Sequence, residues 1–225
     1  MDTSSPLVER LAAVEERIVK ACARAGRPRE EVLLLAVTKI FPAQAILDAY
    51  ALGLREFGEN YVQEFETKAP EVRSLADARF HLIGHLQSNK ARKGAELFDV
   101  IQTVDSAKLA RRLAEAGKPI EVMIEVKLSE EESKHGCAPA DVPALVEAIQ
   151  AQKELRLKGL MTMPPWSDDA EVARPYFQRL RELARQTGVE GLSMGMSNDL
   201  EVAIEEGSTL VRVGTALFGR RKKPA

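Results

Sequence analysis

The chain predicts a single closed barrel of eight parallel strands alternating with helices, a (β/α)8 TIM-barrel fold of the α/β class. Three observations carry that expectation. Several strand candidates are near-continuous apolar runs, as strands covered on both faces of a parallel sheet should be. They alternate with helical stretches along 225 residues, a length that suits one well-buried core. No G-x-G-x-x-G follows the first strand and no Walker-type lysine loop occurs, which disfavours the runner-up, an open doubly wound sheet. No Pro/Gly/Ser-rich linker divides the sequence, so residues 1–225 are read as one domain.

The first element is a helix over about 5–26. Ser5 suits its N-cap and Pro6 its first turn. Leu7, Leu11, Val14, Ile18 and Cys22 follow one stripe, and Gly26 and Pro28 end it. Cys22 is thereby a small core residue. Strands are expected at 32–39, 55–60, 80–85, 99–104, 120–128, 157–163, 191–197 and 210–215, with helices at 42–54, 106–116, 141–153, 171–186 and 199–206 among the connections. Arg220-Arg-Lys-Lys-Pro-Ala225 reads as a short solvated tail.

Charge excludes some partners. Lysine and arginine number 32 against 34 acidic residues, too even a balance for a nucleic-acid or membrane-surface protein. No apolar run reaches membrane-spanning length, and Met1-Asp-Thr-Ser-Ser5 lacks the features of a secretory signal. Cys22 and Cys137 form no disulfide framework and no metal-ligand spacing, and His81, His85 and His135 yield no metal set. A reduced, cytoplasmic setting follows as the expectation.

The chemistry concentrates at strand ends. Gly191-Leu-Ser-Met-Gly-Met-Ser197 and Leu210-Val-Arg-Val-Gly-Thr215 each run from a buried strand into small residues. The loops after the last two strands of such a barrel are where a phosphate is usually held. Ser197, Gly214 and Thr215 suit that task, since free N–H groups, hydroxyls and a helix N-terminus can surround a dianion without bulk. Ser197 could equally N-cap the helix that follows, and the two roles use the same free N–H groups. Leu33-Leu-Leu-Ala-Val-Thr-Lys39 is a strand ending in a single lysine, which shares its face with Leu33, Leu35 and Val37. A strand-end lysine with no further context snorkels to solvent. Together with a phosphate cup it suggests pyridoxal 5′-phosphate (PLP) held as a Schiff base.

Ala36-Val-Thr-Lys39, Phe57-Gly-Glu-Asn-Tyr-Val-Gln-Glu64, His81-Leu-Ile-Gly-His-Leu-Gln-Ser-Asn-Lys90, Ser193-Met-Gly-Met-Ser197 and Val211-Arg-Val-Gly-Thr-Ala-Leu-Phe-Gly219 resemble the YggS/PROSC family of PLP-binding homeostasis proteins. The likeness runs from the first strand to the last. Asn198 and Lys127-Leu-Ser-Glu130 depart from the usual pattern without touching the cofactor-bearing residues. The resemblance implies a barrel like the N-terminal domain of alanine racemase, an imine to Lys39, and phosphate held by Ser197, Gly214 and Thr215. It also places Arg212 beside the pyridine nitrogen, where a permanently charged guanidinium would keep the ring unprotonated and a weaker electron sink.

The remaining candidates follow from position. Asn60 ends the second strand and should face the mouth near Lys39, although a turn role fits nearly as well. His85 ends the third and either orients a ligand or caps a helix. On the rim, Lys134 in the charged 129–136 loop could meet phosphate, Met161 packs as barrel wall near the site, and Trp166 covers part of the rim. Tyr50, Tyr61 and Tyr176 fall on expected helices, and only Tyr61 approaches the mouth. The functional expectation is a monomeric PLP carrier without appreciable turnover, which could supply PLP-dependent apoenzymes. The alternative is a PLP-dependent amino-acid racemase or decarboxylase. A racemase of this type needs a second base from an added domain, for which no sequence follows the eighth strand. A Schiff-base aldolase would need its lysine on a later strand.

Overall fold

The computed structural model describes residues 6–129 and 135–219 and closes the eight expected strands into a ring. They are β1 (Leu33–Val37), β2 (Glu56–Glu59), β3 (Arg79–Leu82), β4 (Val100–Val104), β5 (Ile120–Glu125), β6 (Leu155–Met161), β7 (Gly191–Met196) and β8 (Leu210–Val213). Each is parallel to both neighbours, and β1 pairs with β8 to complete the circle. Helix α1 (Pro6–Arg24) precedes β1. Helices α2 (Ala43–Ala51), α3 (Val62–Val72), α4 (Ala91–Leu97), α5 (Ala107–Ala114), α6 (Val142–Gln150), α7 (Arg174–Thr187), α8 (Leu200–Glu205) and α9 (Thr215–Phe218) follow the strands in turn.

Strand alternation sorts side chains into two packings. Leu34, Ala36, Phe57, Leu82, Val122 and Val211 point outward and pack with the helices in the main core. Leu35, Val37, Ile83 and Leu210 form a separate small cluster inside the ring. Each large side chain buried this way contributes about 1.5–3 kcal/mol. Cys22 is core, as expected, on the buried stripe of α1 with Val14, Ile18 and Ala21. That helix packs against α8 and α9. Its Arg17 donates to both carboxylate oxygens of Glu201 and, at 2.9 Å, to the carbonyl of Ser197. The helix before the barrel thus pins the loop after β7.

Most sequence-derived strands run past the observed ones at the C-terminal end. Lys39, Asn60, His85, Ser197, Gly214 and Thr215 all lie beyond the last residue of their strands. These residues carry the strand pattern on into the loops, where the ladder pairing has ended. Strand β6 instead begins earlier, at Leu155, than the expected 157. Helices α3 and α4 were not delineated from sequence; α3 carries Pro70 near its end and α4 is only 7 residues long. The expected N-cap Ser5, the rim residue Lys134 and the 220–225 tail lie outside the described residues.

One close approach shapes the mouth. At Gly84, just after β3, an added Cβ would stand 2.1 Å from the carbonyl oxygen of Asn60. Only glycine lets the two post-strand segments touch there. Thr103 Oγ1 holds the same segment by donating to Gly84 O at 2.9 Å.

Candidate functional site

Lys39 sits half-buried in the turn after β1, and the residues flanking it are held from outside the ring. Thr38 is completely buried and its hydroxyl donates to Glu59 Oε1 at 2.7 Å. Lys68 of α3, itself buried, directs its ammonium to Thr38 O at 3.1 Å, to both oxygens of Glu59 at 2.9 and 3.0 Å, and to Glu64 Oε1 at 2.6 Å. Three acceptor groups thereby satisfy its three donors. Burial pushes the Glu59 carboxyl up, and Lys68 and Thr38 pull it back down only in part. Glu64 also accepts the N–H of Ile40, whose φ of 65° is left-handed. That backbone costs a β-branched residue about 1–2 kcal/mol, and the network offsets it to keep the turn at Lys39 in one shape.

Closure of the ring brings the chain's second functional region to this turn. The β1–β8 ladder pairs Leu35 with Arg212 and Ala36 with Val213. Gly214 therefore lies against Val37, 3.4 Å from its carbonyl oxygen as measured from an added Cβ. Thr215 opens α9, and Ser197 Oγ accepts the N–H of Ala216 in its first turn at 3.2 Å. Ser197 is a helix-capping residue, then, but for α9 rather than for α8, the helix that follows it. Asp199 Oδ1 accepts from Met196 N at 2.6 Å and holds the loop closed from beneath. Ser197, Gly214 and Thr215 so come together at the start of α9.

Arg212 points inside the ring and is 3% exposed. It donates to Ser193 O and Ser193 Oγ at 2.7 and 2.8 Å, and to Thr162 O at 2.8 Å. Burial lowers its pKa to about 10, opposed by Asp199 and Glu125, so the guanidinium remains charged at neutral pH. Below it a chain of polar groups descends the barrel. Ser193 Oγ donates to Gln102 Oε1 at 2.7 Å, and Gln102 Nε2 lies 2.8 Å from His81 Nδ1. With that amide orientation Nδ1 accepts, so the ring's proton is on Nε2, facing Glu56 at 2.5 Å.

Across the mouth, Glu125 at the end of β5 is 3% exposed, and among the described residues its Oε2 has no hydrogen-bond partner. Burial, reinforced by Asp105 and opposed by Arg212, pushes its carboxyl up to about 7. It lines a cavity of about 130 Å³ with His85, His135, Ser129, Val126, Lys127, Leu128 and Met163. The His85 and His135 rings stack with centroids 3.8 Å apart, and His85 Nδ1 is 3.8 Å from Asp105. Burial and the facing His135 lower the His85 pKa, while Asp105 raises it.

The structure thus gathers Lys39, Arg212, Ser197, Gly214 and Thr215 where β7, β8 and β1 meet. Asn60 follows β2, the next strand round from the Lys39 turn, with its backbone on Gly84, and His85 belongs to the cavity beyond. Met161 is fully enclosed, as barrel wall, whereas Met163 is 37% exposed and lines the cavity. Trp166 is 75% exposed, so it projects from the rim rather than covering it. Tyr61 is the residue before α3 and is 58% exposed. Sequence reasoning missed Glu125, Glu59, Lys68 and Ser193. Glu125 had one signal, a carboxylate at an inward position of an apolar strand.

These features define a class, a (β/α)8 barrel with a lysine-bearing turn beside a cluster of serine, glycine and threonine at its C-terminal mouth. The alanine racemase N-terminal domain family matches residues 10–222. A pyridoxal phosphate homeostasis protein of Pseudomonas aeruginosa is 48% identical over 223 residues, 96% of each chain. Its namesake from Aquifex aeolicus is 42% identical, covering 95% of this chain and 98% of the relative. The structure of PipY from Synechococcus elongatus with PLP bound superposes with a TM-score of 0.79 at 41% identity, over 92% of this chain and 100% of that one. An alanine racemase of Clostridium difficile shares the fold at TM-score 0.71 and 14% identity, this chain covering 57% of its length. The chain belongs to the pyridoxal phosphate homeostasis protein family.

Glu125 gives stability a pH dependence of defined sign. Its folded pKa of about 7 lies above the ordinary value of 4.5, so the native state binds the extra proton between them. Stability from this group is full below about 4.5 and is lost as pH rises through about 7. Above that, the buried charge costs on the order of 3 kcal/mol. Glu125→Gln is therefore expected to stabilise the protein at pH 8 and to change it far less at pH 5. Urea unfolding of both proteins at the two pH values measures the difference, and an equal shift at both would contradict the assignment.

Proposed function

We propose that this chain binds PLP covalently through Lys39 and serves PLP homeostasis as a carrier without appreciable turnover. The observation that carries this reading is the β1–β8 closure, which sets the Lys39 turn beside the Ser197, Gly214 and Thr215 cup with Arg212 inside the ring. The names of the relatives and the PLP-bound PipY neighbour support it.

The residues fit the cofactor. Its phosphate suits the hydroxyls and helix start of the cup, and its ring nitrogen suits the donor-only guanidinium of Arg212. When bound, the cofactor supplies an aldehyde that condenses reversibly with an amine. Lys39 is the amine of this site, and the turn that carries it is held by Thr38, Lys68 and Glu64. Arg212 stays protonated and has no proton-accepting atom, so it keeps the ring nitrogen unprotonated and the electron sink weak. Storage, protection of a reactive aldehyde and hand-over to apoenzymes need nothing more.

One observation favours the enzyme alternative. Glu125, with a pKa near 7, is tuned as a general acid or base would be. Racemisation needs such groups on both faces of the ring, and directed decarboxylation needs the electron sink that Arg212 weakens.

Three measurements decide. Lys39→Ala should keep the fold and lose the borohydride-reducible chromophore, with no mass gained at position 39; a reducible chromophore in this variant would exclude Lys39. The double variant Ser197→Ala with Thr215→Ala should weaken PLP binding far more than pyridoxal binding, each lost hydrogen bond costing roughly 1.5–3 kcal/mol. Equal losses for both vitamers would remove these residues from the phosphate site. Amino acids should produce spectral changes with negligible turnover, and steady conversion at about 1 per second or more would restore the enzyme reading.

A further inference from the structure

We propose that the cavity beside Glu125 is a binding site for a primary alkylammonium ion, such as the amino end of a free amine or amino acid. Two buried polar atoms have no hydrogen-bond partner among the described residues, Glu125 Oε2 and Ser129 Oγ. Both residues line the same cavity. Both atoms are sealed from solvent, and a native protein leaves such atoms unmatched at a cost of about 1–3 kcal/mol each, more for a charged group, which a ligand recovers by shifting the side chains that cover them.

The chemistry of the walls selects that ligand. Glu125 is an acceptor when ionised, Ser129 can accept, and Asp105 adds a second negative charge nearby. With Arg212 and Lys127 set against these two carboxylates, it is the unmatched acceptors that decide, and they favour a ligand that brings several N–H donors and a positive charge. Among the described residues no group of three metal-ligating side chains occurs. The volume of about 130 Å³ admits roughly four water-sized groups. Val126, Leu128 and Met163 line the rest, a surface for a short aliphatic stem rather than for bare ammonium.

The site occupies the strand opposite Lys39, since β5 stands half-way round the closed ring from β1. Its meaning as the berth of an amine that competes with Lys39 rests on the proposed function. Binding itself does not, and it is tested without cofactor.

Cofactor-free protein titrated with n-butylammonium by calorimetry, with n-butanol as the uncharged isostere, measures the site directly. Saturable binding of the ammonium alone is expected, weakened at least tenfold by Glu125→Gln. Affinity should fall roughly tenfold or more from pH 8 to pH 5.5, as Glu125 takes up its proton. Asp105, Arg212, His85, His135, Lys127 and Cys137 surround it. An amide chemical-shift map should centre the change on residues 125–129. No saturable binding, equal binding of n-butanol, or equal affinity in Glu125→Gln would overturn the proposal. Loss of the reducible chromophore's assignment to Lys39 would leave these results standing, so the two readings fail separately.

Discussion

The parallel ladder between β1 and β8 is the constraint on which the rest depends. Four residue pairs, Leu33 with Leu210 through Ala36 with Val213, turn an eight-strand sheet into a ring and remove its two edges. The same pairs decide the register at the mouth. A parallel ladder moves side chains to the other face when it slips by one residue. With Leu35 opposite Arg212, both point inward and the arginine meets Ser193 on the neighbouring strand. One residue of slip would send Arg212 among the helices, where no comparable set of carbonyls awaits it.

Closure alone would leave the lysine on a loose turn. The network of Thr38, Glu59, Glu64 and Lys68 removes that freedom from the far side of the sheet, where helix α3 covers β2. Buried ionic groups seldom add net stability, because desolvation consumes most of the attraction. What this one provides is shape: a left-handed Ile40 and a buried Thr38 on either side of Lys39. The polar interior at α3 and the chemistry at the mouth are thus mechanically joined although no side chain of α3 need touch a ligand.

Sequence showed the ring clearly and the site in part. Apolar runs and their spacing located all eight strands, since burial on both faces leaves few other readings of Leu33-Leu-Leu-Ala-Val37 or Ile120-Glu-Val-Met-Ile-Glu125. Small residues after β7 and β8 pointed to two segments that the structure brings together at the start of α9. Glu64 and Lys68 were illegible, because their spacing of four residues on a helix looks the same whether the pair is solvated or sealed beneath a sheet. Ser193 was hidden for a related reason: a serine in a strand shows its value only when the arginine of the next strand, 19 residues on, is known to end beside it. His85 was legible as a strand-end residue and lines the cavity by β5, but the ring stacked on it, His135, comes from a loop that no periodicity describes.

The polar chain down the barrel axis has a direction. Arg212 donates to Ser193, Ser193 to Gln102, Gln102 to His81 and His81 to Glu56, so every proton in it points away from the mouth. A cation tops the series and a carboxylate ends it, which makes the interior a polarised rod whose positive pole faces the open end. Its sense hangs on the Gln102 amide, whose oxygen and nitrogen exchange roles only if the whole group turns. Rotating that amide by half a turn would set oxygen against the bare nitrogen of His81 and a donor against the hydroxyl of Ser193. The imidazole would have to exchange tautomers, and its contact with Glu56 would lose its proton. A neutral side chain at mid-barrel therefore acts as the compass of the site, fixing which way the ring's interior is charged without carrying any charge itself.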